Sequence, residues 1–166
     1  MKQAIAGVTP IDAHEVNVMT VWPSNGASAL GRTLGRLYAI PVGFYIFKLG
    51  NFIALASLPI AVVLYFFKVL PFVGRRYKIT NRRVIVARGV TGMEEEKSVN
   101  LDRFDRVEVD VLPGQEWYQS GDLVFYQGKT ETFRLEGVSR PDVFQSICVK
   151  AQQSYVGVQD ALAAQA

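Results

Sequence analysis

Few residues in this chain have side chains that do catalytic or ligating chemistry. His14, the single histidine, stands between Asp12 and Glu15, and the three together make a metal corner conceivable. A trio of this kind in a leader segment is more often solvated than ligating, so no metal is expected. Cys148 is the single cysteine, which rules out an internal disulfide and a Cys/His zinc cluster. A nucleophile activated by histidine would have to run through His14 alone. No glycine-rich phosphate loop is present, and no catalytic residue, cofactor or enzymatic activity is expected. Binding chemistry is better supplied. Arg75, Arg76, Lys78, Arg82 and Arg83 crowd into one short stretch. They read either as a topology anchor with ordinary strand charges or as a headgroup site where arginine grips phosphate bidentately. Trp117 and Tyr118 follow Pro113-Gly114 and read either as an exposed loop resting on a membrane or partner, or as a buried plug of the sheet.

These groups sit in a chain of 166 residues that is 49% hydrophobic and 20% charged, with a mean hydropathy of +0.15. Soluble domains carry about 25% charge, so the composition leans away from an ordinary soluble protein. The net charge of +3 divides unevenly. Residues 1–76 carry seven basic against two acidic side chains, while residues 77–166 carry eleven against thirteen. The acidic second part lacks the basic face that nucleic acid requires. The positive excess instead brackets an apolar region.

Leu49–Phe67 is a run of 19 residues without a charge, close to the roughly 20 needed to cross a hydrocarbon core of about 30 Å. Leu37–Phe47 is apolar but shorter, and Leu30 and Leu34 extend it if Arg32 and Arg36 reach the headgroups. The Lys48–Asn51 break reads as a turn between two antiparallel arms. Tyr38, Tyr45, Tyr65, Phe66 and Phe67 fall where an aromatic belt would. Residues 30–74 are therefore expected to form a membrane hairpin, spanning or re-entrant, with its second arm over 49–73. The positive-inside rule puts both ends, and both termini, on the cytoplasmic side of the inner membrane.

Beyond Arg76 the period shortens to strand alternation. Tyr77–Thr80 and Arg83–Arg88 flank Asn81-Arg82, where asparagine tolerates a left-handed turn. Thr91–Val99 reads as a polar edge strand. Residues 106–111 alternate, with Val107, Val109 and Val111 facing a core. Asp122–Gln127 and Thr130–Glu136 make a second hairpin, with Leu123, Phe125, Phe133 and Leu135 on its buried face. Ser139 is the expected N-cap of an amphipathic helix of about 15 residues carrying Phe144 and Ile147 inward. The tail, 156–166, is expected to fray. Residues 1–29 form a cytoplasmic leader, in which 15–22 is a candidate edge strand for the same sheet.

The run from Tyr77 to Gly89, YKITNRRVIVARG, placed directly after an apolar hairpin, resembles the bacterial pleckstrin-homology-like (PH-like) membrane proteins. So does the downstream skeleton of Val99, Leu101, Phe104, Val107, the Gly121–Phe125 strand, Phe133, Leu135, Val138, Pro141, Phe144 and Ile147. The resemblance covers about residues 30–155. It implies a membrane-anchored α+β fold: a helical transmembrane hairpin, then a PH-like antiparallel β-barrel or sheet over 75–155, capped by a C-terminal helix. It implies a non-catalytic module that scaffolds or recruits at the membrane face through protein or anionic lipid, with oligomers in some relatives. The alternative is an accessory subunit of a larger membrane enzyme or transport complex.

Overall fold

The computed structural model describes residues 15–44, 47–69, 74–89 and 94–163. Asp12 and His14, Tyr45, residues 70–73, 91–93 and 164–166 lie outside the described residues, and with them those parts of the metal corner, the belt, the second arm, the polar edge strand and the tail.

Two antiparallel sheets enclose one core. The first has the order β1 (Asn17–Val21), β4 (Arg75–Thr80), β5 (Arg83–Arg88), β6 (Glu94–Asn100). The second runs β7 (Arg106–Asp110), β8 (Ser120–Gln127), β9 (Thr130–Ser139). Alternation decides which side chains meet. Tyr77 and Ile79 of β4, Val84 and Val86 of β5, Val107 of β7, Leu123 and Phe125 of β8, and Phe133 and Leu135 of β9 all point inward and are buried. The expected cross-strand pairs form: Phe125 sits opposite Phe133 and Leu123 opposite Leu135. Their rings interlock, with Phe125 edge-on to both Phe104 and Phe133 at centroid separations of 5.0 and 5.6 Å. The helix α4 (Pro141–Ala163) closes this core with Phe144 and Cys148, both fully buried.

The leader does add a strand. β1 pairs with β4, placing Met19 opposite Ile79 and Val21 opposite Tyr77, so Met19 and Val21 cover the core while Val16 and Val18 face outward.

Several details depart from the sequence reading. Val111 lies beyond the end of β7 and is 44% exposed, so it leaves the expected core. The β4–β5 turn does not use a left-handed Asn81. Thr80 Oγ1 organises it by accepting from the backbone N–H of Arg82 and Arg83, while Asn81 Oδ1 accepts from the backbone N–H of Val16. Ser139 ends β9 instead of capping α4; Arg140, at φ 50°, takes the cap position, and its carbonyl accepts from Val143 and Phe144. The helix also runs 23 residues, through the stretch read as tail up to Ala163. Its apolar spacing ends near Tyr155, but alanine and glutamine sustain a solvated helix well.

The apolar region departs most. Its first arm is a short helix, α1 (Ala29–Tyr38), capped by Ser28 Oγ, which accepts from Gly31 N at 3.0 Å. It buries Gly31, Gly35 and Tyr38, so its docked side is a glycine face, while Leu30 and Leu37 on its other side stay exposed. Gly35 lies so close to Gly114 that a Cβ there would collide with the Gly114 carbonyl, and Arg36 Nε donates to the Pro113 carbonyl at 3.2 Å. A two-stranded ribbon, β2 (Gly43–Phe44) and β3 (Phe47–Lys48), replaces the turn expected at Lys48–Asn51. Then come α2 (Leu49–Ala56) and α3 (Leu58–Val69). No single described helix is long and apolar enough to cross a membrane; α2 and α3 together have the length and composition, but are bent by 54°.

Candidate functional site

Four of the five basic residues divide between the two ends of one hairpin, with Lys78 between them. Arg75 and Arg76 open β4; Arg82 and Arg83 lie at its far end, about 17 Å along a strand rising roughly 3.3 Å per residue. Arg83 is engaged by carboxylates. Its Nε and NH2 take Glu15 at 2.8 and 3.0 Å, and its NH1 takes Glu95 at 2.9 Å. The hydrogen bond from Arg83 holds the Glu15 carboxyl below its usual value, and Glu15 in turn raises Arg83. Glu15, one of the trio weighed as a conceivable metal corner, is engaged by this pairing. Arg82 is exposed beside it in the turn. Lys78 sits mid-strand on the outer face, level with Thr20 and Ile85.

Arg75 lines a cleft of about 580 Å³ whose wall also includes Trp22, Ser24, Asn25, Tyr65 and Ser139, and Arg76 adjoins it by lying over the Trp22 ring. Each element contributes for a local reason. The pairing of β1 with β4 carries the chain to Trp22, and Pro23 then makes a bridge to Val138 that turns it off the sheet. Ser24 caps the following turn by accepting from Gly26 N, and its own N–H donates to the Gly137 carbonyl at 2.7 Å. Tyr65 reaches the cleft from α3, so the site lies where the apolar segment meets the sheet.

The two arginines differ in state. Arg75 is bidentate to Glu96 at 3.1 and 3.0 Å, but half of its side chain remains exposed. Arg76 lies 4.1 Å over the Trp22 ring, and its buried Nε has no hydrogen-bond partner among the described residues. A guanidinium stacked on a half-exposed tryptophan makes a cationic, partly apolar surface. The sequence showed the arginines. It did not show Trp22, Tyr65 or Ser139 as their companions, because only the β1–β4 pairing and the path of α3 bring them together.

Trp117 and Tyr118 occupy neither expected role outright. Trp117 is 44% exposed yet packs edge-on against Tyr38 at 5.4 Å, and Tyr118 approaches Gly35. The pair seats α1. The turn that carries them hangs on Gln115, fully buried, whose amide accepts from Leu112 N and donates to Asp122 at 2.6 Å. Asp122 is itself buried and satisfied by Gly137 N and Arg134. Tyr38, expected in an aromatic belt, is instead buried here. Among the described residues no three His, Cys, Asp or Glu side chains converge as metal ligands.

No curated protein and no solved structure matches the chain. The family model for the bacterial PH domain matches residues 36–154, which take in the last three residues of α1, the bent helices, six of the seven strands of the two main sheets, and α4 as far as Ser154. Two antiparallel sheets closed by a C-terminal helix agree with that match, and the chain belongs to the bacterial PH domain family.

Proposed function

We propose that this protein is a non-catalytic module held at the cytoplasmic face of the inner membrane, where the cleft beside Trp22 takes the phosphate of an anionic lipid headgroup. The observation that carries the reading is the junction itself. An apolar segment exposing Phe44, Phe47, Leu55 and Phe66 runs into the cleft wall through Tyr65, Arg75 lines the same cleft, and Arg76 stacks on its Trp22. Soluble monomers rarely expose contiguous apolar patches of this kind. Anchoring that segment in lipid puts Arg75 and Arg76 at headgroup level, where each basic residue contributes about 1 kcal/mol toward an anionic leaflet. Arg76 dominates, because Arg75 shares its charge with Glu96. Arg82 and Arg83 act elsewhere, pinning the leader through Glu15.

The test is lipid retention. Full-length protein in nanodiscs of mixed phosphatidylcholine and phosphatidylglycerol is released into the gas phase, and the lipids that stay bound are identified by mass. Wild type is expected to retain phosphatidylglycerol preferentially. Arg75→Gln/Arg76→Gln loses that preference, and Arg82→Gln/Arg83→Gln keeps it. Equal retention of both lipids by wild type, or indifference to the Arg75/Arg76 change, refutes the headgroup site.

A further inference from the structure

The charge-free run has its midpoint at Leu58. In a spanning segment that residue would lie about 15 Å below either headgroup layer. The fold puts its neighbour somewhere else. α2 and α3 break at Ser57, with Pro59 in the first turn of α3, where its missing N–H costs nothing and its ring disfavours continuation of the preceding helix. The Ser57 hydroxyl bonds to the Tyr38 hydroxyl, and both residues are buried. Tyr38 packs in turn against Trp117, whose neighbour Glu116 is exposed. Through one hydrogen bond and one ring contact the bend therefore lies within about 10 Å of a charged surface loop of the β domain. A carboxylate cannot follow it to the bilayer centre without a penalty of several kcal/mol.

A second contact agrees. Gly50 abuts the Tyr38 carbonyl so closely that no Cβ would fit, so the Lys48–Gly50 start of α2 also lies beside α1. In a spanning hairpin Lys48 would stand on the opposite side of the membrane from Arg36 and Arg75. α2 and α3 are separately only about 12 and 18 Å long at 1.5 Å per residue.

We propose that the apolar segment beds into one leaflet without crossing the bilayer, its bend fastened to the β domain by Ser57, Tyr38 and Trp117. The partner is the lipid surface on the domain's own side. This rests on the membrane reading above. Phe44 and Phe47, 85% and 72% exposed at the ribbon, and the outward side chains of the bent pair form the inserted face. Lys48 remains at headgroup level with the arginines.

Spin labels at Leu58→Cys and Lys48→Cys, in a Cys148→Ala background of the full chain in proteoliposomes, report depth from oxygen against aqueous-nickel accessibility. The Leu58 label is expected at about 5–10 Å below the phosphates and the Lys48 label at the interface. In sealed spheroplasts Lys48→Cys resists an impermeant maleimide from outside and reacts after lysis. A Leu58 label at the midplane, or external labelling of Lys48→Cys, overturns one-leaflet insertion and leaves membrane anchoring standing. Aqueous accessibility at Leu58 equal to that of a Glu116→Cys label overturns anchoring as well. Tyr38→Phe keeps the ring against Trp117 and removes only the hydroxyl bond, so it should fold and raise the mobility of the Leu58 label. Unchanged mobility there refutes the fastening.

Discussion

Alanine at Gly35 separates a docked helix from a free membrane arm by the sign of its effect. Glycine inside a helix costs about 1 kcal/mol relative to alanine, so Gly35→Ala in an undocked α1 would stabilise it by that amount. In the folded chain the added methyl would run into the Gly114 carbonyl, a backbone atom that cannot rotate away. Overpacking of this type costs about 1–3 kcal/mol. If α1 retreats to relieve it, the Arg36–Pro113 bond and the Tyr38–Trp117 contact weaken, each worth about 0.5–1.5 kcal/mol. After the helix-propensity gain, docking is expected to lose up to about 2 kcal/mol, a factor of up to roughly 30 in its equilibrium. Gly157 in α4 is the control, since a Cβ there meets nothing within 4 Å. Gly157→Ala should therefore gain up to about 1 kcal/mol. Hydrogen exchange followed by mass spectrometry on detergent-solubilised protein reads both. Peptides from α1 and from residues 112–118 should exchange faster in Gly35→Ala, and the end of α4 more slowly in Gly157→Ala. Slower exchange of α1 in Gly35→Ala would show that the helix is not docked.

Phe144→Ala and Phe133→Ala should each cost about 3–5 kcal/mol as buried aromatic truncations, seen as lost protease resistance of the β domain; wild-type resistance would mean the core is misassigned. Burial pushes the Cys148 thiol up to about 12, so a maleimide at neutral pH should react only as the domain unfolds, and fast labelling of the folded protein would contradict the packing. The Glu15 carboxyl is lowered by the Arg83 hydrogen bond, so its hold on the leader is complete above about 4.5 and disappears as pH falls through the lowered value. Exchange of β1 amides should accelerate across that acid window in wild type, and at neutral pH in Glu15→Gln; a pH-independent β1 would exclude the pair as its fastening.

The β domain was legible because its signals are local. Alternation placed Val107, Leu123, Phe125, Phe133 and Leu135 inward, while the register of β8 on β9 is set by a bulge at Phe125/Tyr126 that the sequence did not show. The apolar region was legible only in part, for a physical reason. Composition reports that a segment avoids water, but not whether it meets lipid or protein, and the deciding residues in α1 are glycines whose docking partner, Gly114, lies far along the chain. The basic group misled in a related way. Of five charges near in sequence, four lie at the two ends of a hairpin and Lys78 between them, and the carboxylates that occupy Arg83 and Arg75, Glu15 and Glu96, come from another strand or the leader.

The pairing of β1 with β4 makes the apolar segment an excursion from within the domain: the chain leaves the sheet after Val21 and rejoins it, one strand over, at Arg75. Both feet of the excursion are therefore fixed side by side, and any force on the inserted part loads the β1–β4 ladder directly. A chain cut ahead of Arg75 would leave β4 with a bare row of N–H and C=O groups and with Tyr77 and Ile79 uncovered by Val21 and Met19. Such an edge is a template for another strand. The strand that fits it is the leader, which every trimmed copy lacks, so trimming the protein to the part after Arg75 would favour edge-to-edge pairing and aggregation over a well-behaved monomer.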